Sequence, residues 1–293
     1  MKNWILAIRP KTLFASQAPV ILGLAVSYSE LKKVHWSIAI LTALCALFLQ
    51  IASNLANDYL DALRGIDGQG RLGPVRVTST GLIPSSSMKN ALILTLVLAF
   101  LFGIFLMLHG GPVIMAIGII SLYFAYGYTG GPYPLSYNGL GEVAAFLFFG
   151  IIAVFGTTYL QTLSFSKMAI ILGCGPGFIS ATILAINNLR DIKSDTEGKK
   201  RTIAVRFGEV FQRRLCLILI ILSSLISLYA YLMTSHLVMI IAIFLPVLFH
   251  KTWLQILYRP INEKLNFALQ RTAQYNLLYC LILSLGLFLS SNK

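Results

Sequence analysis

The chain has 293 residues, of which 57% are hydrophobic and only 11% are charged. Its mean hydropathy of +0.79 is too high for a domain with a polar surface, so the composition indicates an integral membrane protein and excludes an ordinary soluble one. The formal net charge of +13 alone would suit nucleic-acid binding, but the basic residues follow a membrane topology instead.

Apolar stretches long enough to cross a membrane recur along the whole sequence. A hydrocarbon core of roughly 30 Å needs about 20 apolar residues in a helix, and no alternation of period two indicates a barrel. WILAIRPK predicts a short interfacial helix that Pro10 separates from the first span. We predict an all-α bundle of about nine transmembrane helices, at 13–29, 36–57, 90–108, 112–129, 140–163, 168–188, 214–233, 236–257 and 273–290.

The charged residues are distributed unequally between the two sides that this topology defines. The N-terminus and the loops after the even-numbered spans share one side. All Lys and Arg residues fall on that side except Lys32, Lys33, Lys167 and Lys293. The positive-inside rule makes it cytoplasmic. We therefore predict a multi-pass protein of the cell inner (cytoplasmic) membrane, with a cytoplasmic N-terminus, cytoplasmic active-site loops and no nucleic-acid partner.

The acidic residues form two similar clusters on this same side, and only Glu30 lies on the other. An asparagine and two aspartates are spaced i, i+4, i+7 in NLANDYLD and i, i+4, i+8 in NNLRDIKSD. A continuous helix places each set roughly in one stripe. Solvated helix ends with local ion pairs are the alternative, but two matching clusters on one side argue against it. The six residues are Asn54, Asp58, Asp61, Asn187, Asp191 and Asp195.

Two pairs of carboxylates facing one site would repel each other unless a cation lies between them. Oxygen donors without His or Cys favour Mg²⁺ or Ca²⁺ over zinc. Mg²⁺ commonly takes one or two carboxylates and completes its shell with water and substrate phosphates. We therefore predict a metal site, which is also the catalytic site, formed by Asp58, Asp61, Asp191 and Asp195.

Basic residues next to both clusters fit a phosphate-bearing ligand, because guanidinium and ammonium groups bind phosphate oxygens. They are Arg64, Arg71 and Arg76 after the first cluster, and Lys199, Lys200 and Arg201 after the second. The cysteines all fall within apolar spans without metal-ligand spacing, which predicts inert buried thiols.

NDYLD together with NNLRDIKSD resembles the paired Asp-rich motifs of the UbiA superfamily of intramembrane prenyltransferases, and the match extends over nearly the whole chain. The stretches RPKTLFASQAPVILG, GIDGQGRLGPVR, YTGGPYPLSYNGLGE and GKKRTIAVRFG are similar to the 1,4-dihydroxy-2-naphthoate polyprenyltransferase family, in the expected order. The resemblance implies one UbiA-like membrane domain over 1–293, with its helices arranged around a central cavity.

The resemblance also implies an activity. A polyprenyl chain would pass from polyprenyl diphosphate to 1,4-dihydroxy-2-naphthoate, with Mg²⁺ as cofactor and loss of CO₂, to give demethylmenaquinol in menaquinone biosynthesis. The four aspartates would hold Mg²⁺ and the diphosphate, and membrane lipid would surround the enzyme. The oligomeric state stays open. The expected substrate-binding residues are Asn54, Asn57, Arg64, Arg71, Arg76, Tyr133, Asn187, Lys200 and Arg201.

Two stretches depart from the wider superfamily. Gly65 stands where many members have a third Asp, and Asp67 follows two residues later. Tyr133-Pro-Leu-Ser-Tyr137 replaces a YxxxK pattern. Both differences favour a naphthoate acceptor over 4-hydroxybenzoate, and they leave the roles of Asp67, Tyr133 and Tyr137 open.

Several alternatives stay open. The tyrosines near the end of the fourth span fit either carbocation stabilisation or an interfacial aromatic belt. Glu142 fits either a role toward the acceptor, orienting or deprotonating it, or complementation of a helix dipole. Homogentisate, 4-hydroxybenzoate and chlorophyllide-like acceptors are alternatives within the superfamily. A cation-coupled transporter is the alternative from another class, although its acids are expected near the midplane and not at helix ends.

Overall fold

The computed structural model describes residues 2–65 and 72–292, except for the side chain of Lys11. These residues form helices joined by turns, and no β-strand occurs among them. A 3₁₀ turn, Leu135–Tyr137, precedes α5, and a π-helical turn, Leu147–Ile151, joins α5 to α6. The helices are α1 (Lys2–Ile8), α2 (Pro10–Leu31), α3 (Trp36–Leu63), α4 (Ser85–Gly127), α5 (Gly141–Phe146), α6 (Ile152–Thr162), α7 (Lys167–Arg190), α8 (Ile192–Glu197), α9 (Ile203–Thr234), α10 (Val238–Leu248), α11 (His250–Tyr258) and α12 (Lys264–Ser291).

The predicted all-α membrane fold is confirmed, and the number of spans depends on how one long helix is divided. Seven helical stretches in the described residues are long and apolar enough to cross a membrane, and the bent pair α10 and α11 adds an eighth. One of the seven, α4, has 43 residues, about twice what a hydrocarbon core requires. It breaks at Gly111, whose φ of 65° is non-helical and suits glycine. The predicted spans 90–108 and 112–129 correspond to its two arms.

Loops that are far apart in sequence meet at the ends of the bundle. At one end, Lys200 in the loop after α8 reaches Asp61 near the end of α3, with Nζ 3.1 Å from Oδ2. At the opposite end, the Ser166 hydroxyl donates to Glu30 at 2.6 Å. The loops that follow α3 and α7 therefore share one end, as the alternation of spans predicts.

The fifth and sixth spans approach each other closely through glycines. A Cβ added to Gly150 would lie 2.4 Å from the Gly177 Cα and 2.6 Å from the Gly173 carbonyl oxygen. Any larger residue at position 150 would therefore push the helices apart. Small residues at such contacts let membrane helices pack backbone to backbone, and here the contact fixes one wall of the bundle.

Many large apolar side chains face outward. Leu108, Leu232 and Leu248 are 75%, 64% and 71% exposed. Lipid accommodates such a surface, whereas contiguous exposed apolar area is rare on soluble monomers. The interior in turn encloses aromatic side chains such as Tyr275 and Tyr279, both fully buried. The chain is a multi-pass membrane protein.

Candidate active site

A cavity of about 800 Å³ lies within the bundle. Along α3 its lining extends from Thr42 to Asp61, about 28 Å at a rise of 1.5 Å per residue. The end at Asp61 is charged, whereas Leu106, Ile114 and Leu160 line the opposite part. The cavity therefore joins a charged end to an apolar channel that runs through most of the bundle.

Most of the residues predicted for the site line this cavity. Asp58, Arg64, Tyr133, Lys199 and Arg201 do not, and Asp67 and Arg71 lie outside the described residues. Residues of both Asp-rich clusters and their basic neighbours are thus brought to one place. The predicted residues that line the cavity are Asn54, Asn57, Asp61, Arg76, Asn187, Asp191, Asp195 and Lys200.

Asp61 lies at the charged end and is only 2% exposed. Its Oδ2 accepts hydrogen bonds from Arg76 Nη2 at 3.0 Å and Lys200 Nζ at 3.1 Å. Its Oδ1 accepts one from the Tyr137 hydroxyl at 3.2 Å. Two cationic groups on one carboxylate leave this end of the cavity locally positive, which favours an anionic ligand.

Asp58 faces a backbone turn and not the cavity. Its Oδ1 accepts the Thr78 N–H at 3.0 Å and its Oδ2 accepts the Val77 N–H at 3.3 Å. The side chain is 1% exposed, so both hydrogen bonds are shielded from water. In this structure Asp58 shapes the loop that presents Arg76, and its role as a metal ligand stays a prediction.

Arg190 organises the second cluster. Its Nε and Nη2 donate to the two oxygens of Asp191 at 2.7 and 2.6 Å, and Nη2 also donates to Asn187 Oδ1 at 2.6 Å. The Arg190 side chain is 1% exposed. A carboxylate has about four lone-pair sites, so this pairing orients Asp191 without occupying all of them. Asp195, one turn further, is 7% exposed and lines the same cavity.

The two predicted asparagines of the first cluster fix the position of α3. Asn54 Nδ2 donates to the Ile8 carbonyl at 2.9 Å and to Thr12 Oγ1 at 3.2 Å. Asn57 Oδ1 accepts a hydrogen bond from the Thr129 hydroxyl. They tie α3 to the first two helices and to the loop after α4, while both also line the cavity.

Tyr137, whose role the sequence left open, covers the charged end. Its ring centroid lies 4.5 Å from Arg64 Cζ and 5.0 Å from Lys200 Nζ, distances at which cations are attracted to an aromatic face. Burial, and secondarily the nearby Asp61, raises the pKa of Tyr137. The phenol therefore stays protonated and able to donate to Asp61 at neutral pH.

Three predicted binding residues have exposed side chains at the same end. Tyr133 is 60% exposed, and Arg64 donates to the Thr129 carbonyl at 2.7 Å. Arg201 uses its backbone N–H, which donates to the Tyr137 carbonyl at 3.0 Å. These contacts order the surrounding loops, and substrate contacts by these three side chains stay predictions.

Glu142 lies behind the cavity wall. Its Oε1 accepts hydrogen bonds from Asn188 Nδ2 and Gln212 Nε2, both at 2.9 Å. It therefore joins α5, α7 and α9, and it reaches the cavity through the lining residue Asn188. Glu142 therefore does more than complement the dipole of its own helix, because it accepts hydrogen bonds from two other helices.

The surroundings of the acids determine whether they can hold a cation. Within residues 2–65 and 72–292, no three acidic, His or Cys side chains converge on one metal position. Asp61 and Asp191 instead contact cationic side chains. Asp61, Asp191 and Asp195 nevertheless line one cavity. Their oxygens fit Mg²⁺ bound jointly with a phosphate group, because such a metal needs only one or two protein carboxylates.

Several lining residues escaped prediction. Arg190 directly precedes Asp191 in NNLRDIKSD, and Arg9 lies in RPKTLF, where the chain breaks between α1 and α2 with a φ of 55°. Both stand in stretches that the sequence had singled out. Asn266 of α12 also lines the cavity, and no motif surrounds it in the sequence.

Known proteins resemble most of this chain. The 1,4-dihydroxy-2-naphthoate octaprenyltransferase of Escherichia coli (strain K12) is 38% identical over 247 residues, which cover 78% of this chain and 79% of that protein. The octaprenyltransferase of the same description from Mycobacterium leprae (strain TN) is 36% identical, with 80% and 79% covered.

Solved structures share the fold. A UbiA homolog from Archaeoglobus fulgidus, described as bound to GPP and Mg²⁺, superposes with a TM-score of 0.69 at 15% sequence identity, over 98% of this chain and 99% of that one. Residues 17–289 match the UbiA prenyltransferase family. The matched residues include both Asp-rich clusters and nearly all of the helical bundle, so this chain belongs to the UbiA prenyltransferase family.

Proposed function

We propose that this protein transfers a polyprenyl chain from polyprenyl diphosphate to 1,4-dihydroxy-2-naphthoate, with loss of CO₂, to give demethylmenaquinol. The observation that carries the proposal is the cavity that joins a charged end at Asp61 to an apolar channel. A prenyl diphosphate has the same two parts. The relatives described as 1,4-dihydroxy-2-naphthoate octaprenyltransferases support the choice of acceptor.

Asp61, Asp191 and Asp195 would hold Mg²⁺, which when bound supplies positive charge to the diphosphate. Arg76 and Lys200 would move part of their contact from Asp61 to diphosphate oxygens, since both groups already point at this end. Charge-assisted hydrogen bonds of this kind stabilise the leaving group as its negative charge grows.

The proposed reaction involves the following bond changes. The allylic C–O bond breaks, and its electron pair leaves with the diphosphate. The carboxylated ring carbon of the acceptor then forms a C–C bond to the allylic cation. The bond to the carboxylate breaks, CO₂ departs, and the released electron pair restores the aromatic ring.

The walls of the cavity suit a carbocation. Phe124, Tyr128, Phe148 and Phe149 line it, and the Phe124 and Phe148 ring centroids are 5.5 Å apart. Aromatic faces attract cations, and apolar walls keep out the water that would otherwise capture the intermediate. We place the charged end on the cytoplasmic side of the cell inner membrane. The loops at this end carry most of the Lys and Arg residues, and loops rich in these residues are typically cytoplasmic.

The test is to incubate purified protein with Mg²⁺, 1,4-dihydroxy-2-naphthoate and polyprenyl diphosphates of several lengths, and to identify the lipid product by mass. We expect a prenylated, decarboxylated naphthoquinol, no product with EDTA, and recovery on adding Mg²⁺. Parallel reactions with homogentisate and 4-hydroxybenzoate would reveal a different acceptor. Absence of diphosphate release with every acceptor would refute the proposal and return the transporter to consideration.

A further inference from the structure

Asn266 of α12 connects the two halves of the candidate site. Its Oδ1 accepts a hydrogen bond from Arg190 Nη1 at 2.7 Å, and its Nδ2 donates to the Leu72 carbonyl at 2.8 Å. Leu72 lies in the loop after the first cluster, and Arg190 ends α7, directly before Asp191 of the second cluster. One amide from the last span therefore bridges segments that are more than a hundred residues apart in sequence.

Arg190 links Asn266 to Asp191, which lines the cavity. Arg190 uses Nη1 for Asn266 and its other nitrogens for Asp191 and Asn187. A guanidinium is planar, so fixing one nitrogen fixes the directions of the others. The Asn266 amide thereby sets the plane in which Arg190 holds the Asp191 carboxylate.

We propose that Asn266 is a positioning residue for the metal and diphosphate site, acting through Arg190 on Asp191 and through Leu72 on the first loop. The inference rests on the proposed function, because it presumes that Asp191 helps to hold a divalent cation. Residues that orient metal ligands typically change metal affinity or activity by 10- to 100-fold when removed. Asn266 itself needs no contact with the metal to have such an effect.

Two substitutions separate its two contacts. Asn266→Ala removes both hydrogen bonds. Asn266→Asp keeps an oxygen for Arg190 but places a second oxygen against the Leu72 carbonyl, which loses its donor. Asn276→Ala is the matched control, because it also removes a buried amide of α12. The Asn276 amide contacts Ser180 at 3.5 Å, and Asn276 does not line the cavity.

The readouts are Mn²⁺ binding by electron paramagnetic resonance, with and without inorganic diphosphate, and hydrogen exchange of the backbone after residue 72. We expect Asn266→Ala to weaken Mn²⁺ binding about tenfold and to speed exchange. Asn266→Asp should speed exchange without the loss of Mn²⁺ affinity. Asn276→Ala should retain wild-type Mn²⁺ affinity even if it lowers thermal stability.

Three results would overturn the inference: wild-type Mn²⁺ affinity in Asn266→Ala, equal losses of affinity in the Ala and Asp variants, or an equal loss in Asn276→Ala. Failure of the proposed function gives a different result, since wild-type protein would then form no prenylated product, whatever its affinity for Mn²⁺. The wild-type measurement therefore comes first and keeps the two cases apart.

Discussion

Asp61 and Lys200 form an ion pair of 3.1 Å across 139 residues of sequence. Asp61 closes the first Asp-rich cluster and Lys200 follows the second. The side chain of Asp61 is 3% exposed and that of Lys200 is 12% exposed. The pair is therefore a direct link between the two clusters, and it lies where a diphosphate would have to bind.

Replacement of Asp61 is expected to cost both activity and stability. Asp61→Ala leaves the cationic groups of Arg76 and Lys200 without this carboxylate, and removing one partner of a buried pair typically costs about 3–5 kcal/mol. We expect turnover to fall at least about 100-fold and the thermal midpoint to drop in detergent. The conservative variant Asp61→Asn should recover part of the stability and little of the activity. Wild-type turnover in Asp61→Ala would contradict the site.

Replacement of Asp58 should act mainly through the loop that it supports. Asp58→Ala removes the acceptors of two buried N–H groups, each worth about 1–3 kcal/mol when left unsatisfied. We expect proteolysis within the loop after α3 to accelerate and activity to be lost with it. Equal protease resistance of Asp58→Ala and wild type would show that the turn does not depend on this carboxylate.

The sequence could predict the bundle and the two clusters because both depend on local spacing. Apolar length defines the spans, and the alternation of spans places NDYLD and NNLRDIKSD at one end. Because both clusters lie at one end, a contact between a residue of the first cluster and a basic residue after the second could be expected. The pairing of Asp61 with Lys200 is such a contact. Helical spacing alone also predicted that Asp58 would share the direction of Asp61.

The orientation of Asp58 could not be predicted, because the chain returns after α3 and offers two N–H groups at Val77 and Thr78. The contact of Asn266 with Arg190 was equally hidden, since it depends on how α12 packs beside α7. An asparagine in a helical sequence carries no local signal of its partner. Side-chain directions across long separations are set by packing, which a single sequence does not display.

Tyr137 should respond to pH in a predictable direction. Burial and Asp61 raise its pKa in the folded protein above the value of about 10 in an unfolded chain. The corresponding stability is fully present below about pH 10 and is lost as pH rises through the folded value. We therefore expect wild-type stability to fall more steeply above pH 10 than that of Tyr137→Phe. If the stability of the two proteins fell equally steeply above pH 10, the raised pKa of Tyr137 would be contradicted.

The same substitution tests the hydrogen bond to Asp61 at neutral pH. Tyr137→Phe keeps the ring over Arg64 and Lys200 and removes only the hydroxyl donor, so we expect a loss of activity of a few fold, consistent with about 1 kcal/mol for one hydrogen bond. Tyr137→Leu also removes the aromatic face and should lose more. Steady-state rates with saturating donor compare the two, and equal rates would mean that the ring contributes nothing.

Gly150 should tolerate no side chain. A Cβ there would lie 2.4 Å from a backbone atom of α7, and overpacking of this kind typically costs about 1–3 kcal/mol. We expect Gly150→Ala to lower the thermal midpoint measurably. Gly103→Ala is the control, since its nearest contact would be the Cys45 sulfur at an ordinary 3.6 Å. Equal midpoints for the two variants would contradict the close contact of the fifth and sixth spans.

Gly156 offers a way to test whether the prenyl chain occupies the apolar channel. It lines the cavity, and a Cβ there would meet only the end of Ile117 at 4.0 Å. Gly156→Phe should therefore fill the channel with its ring while the charged end stays intact. We expect use of long polyprenyl diphosphates to fall at least about tenfold relative to short ones, which corresponds to 1.4 kcal/mol. Gly156→Ala should leave this ratio unchanged. If Gly156→Phe lowered the rates with short and long donors equally, the chain would have to run elsewhere, because a blocked channel discriminates by length.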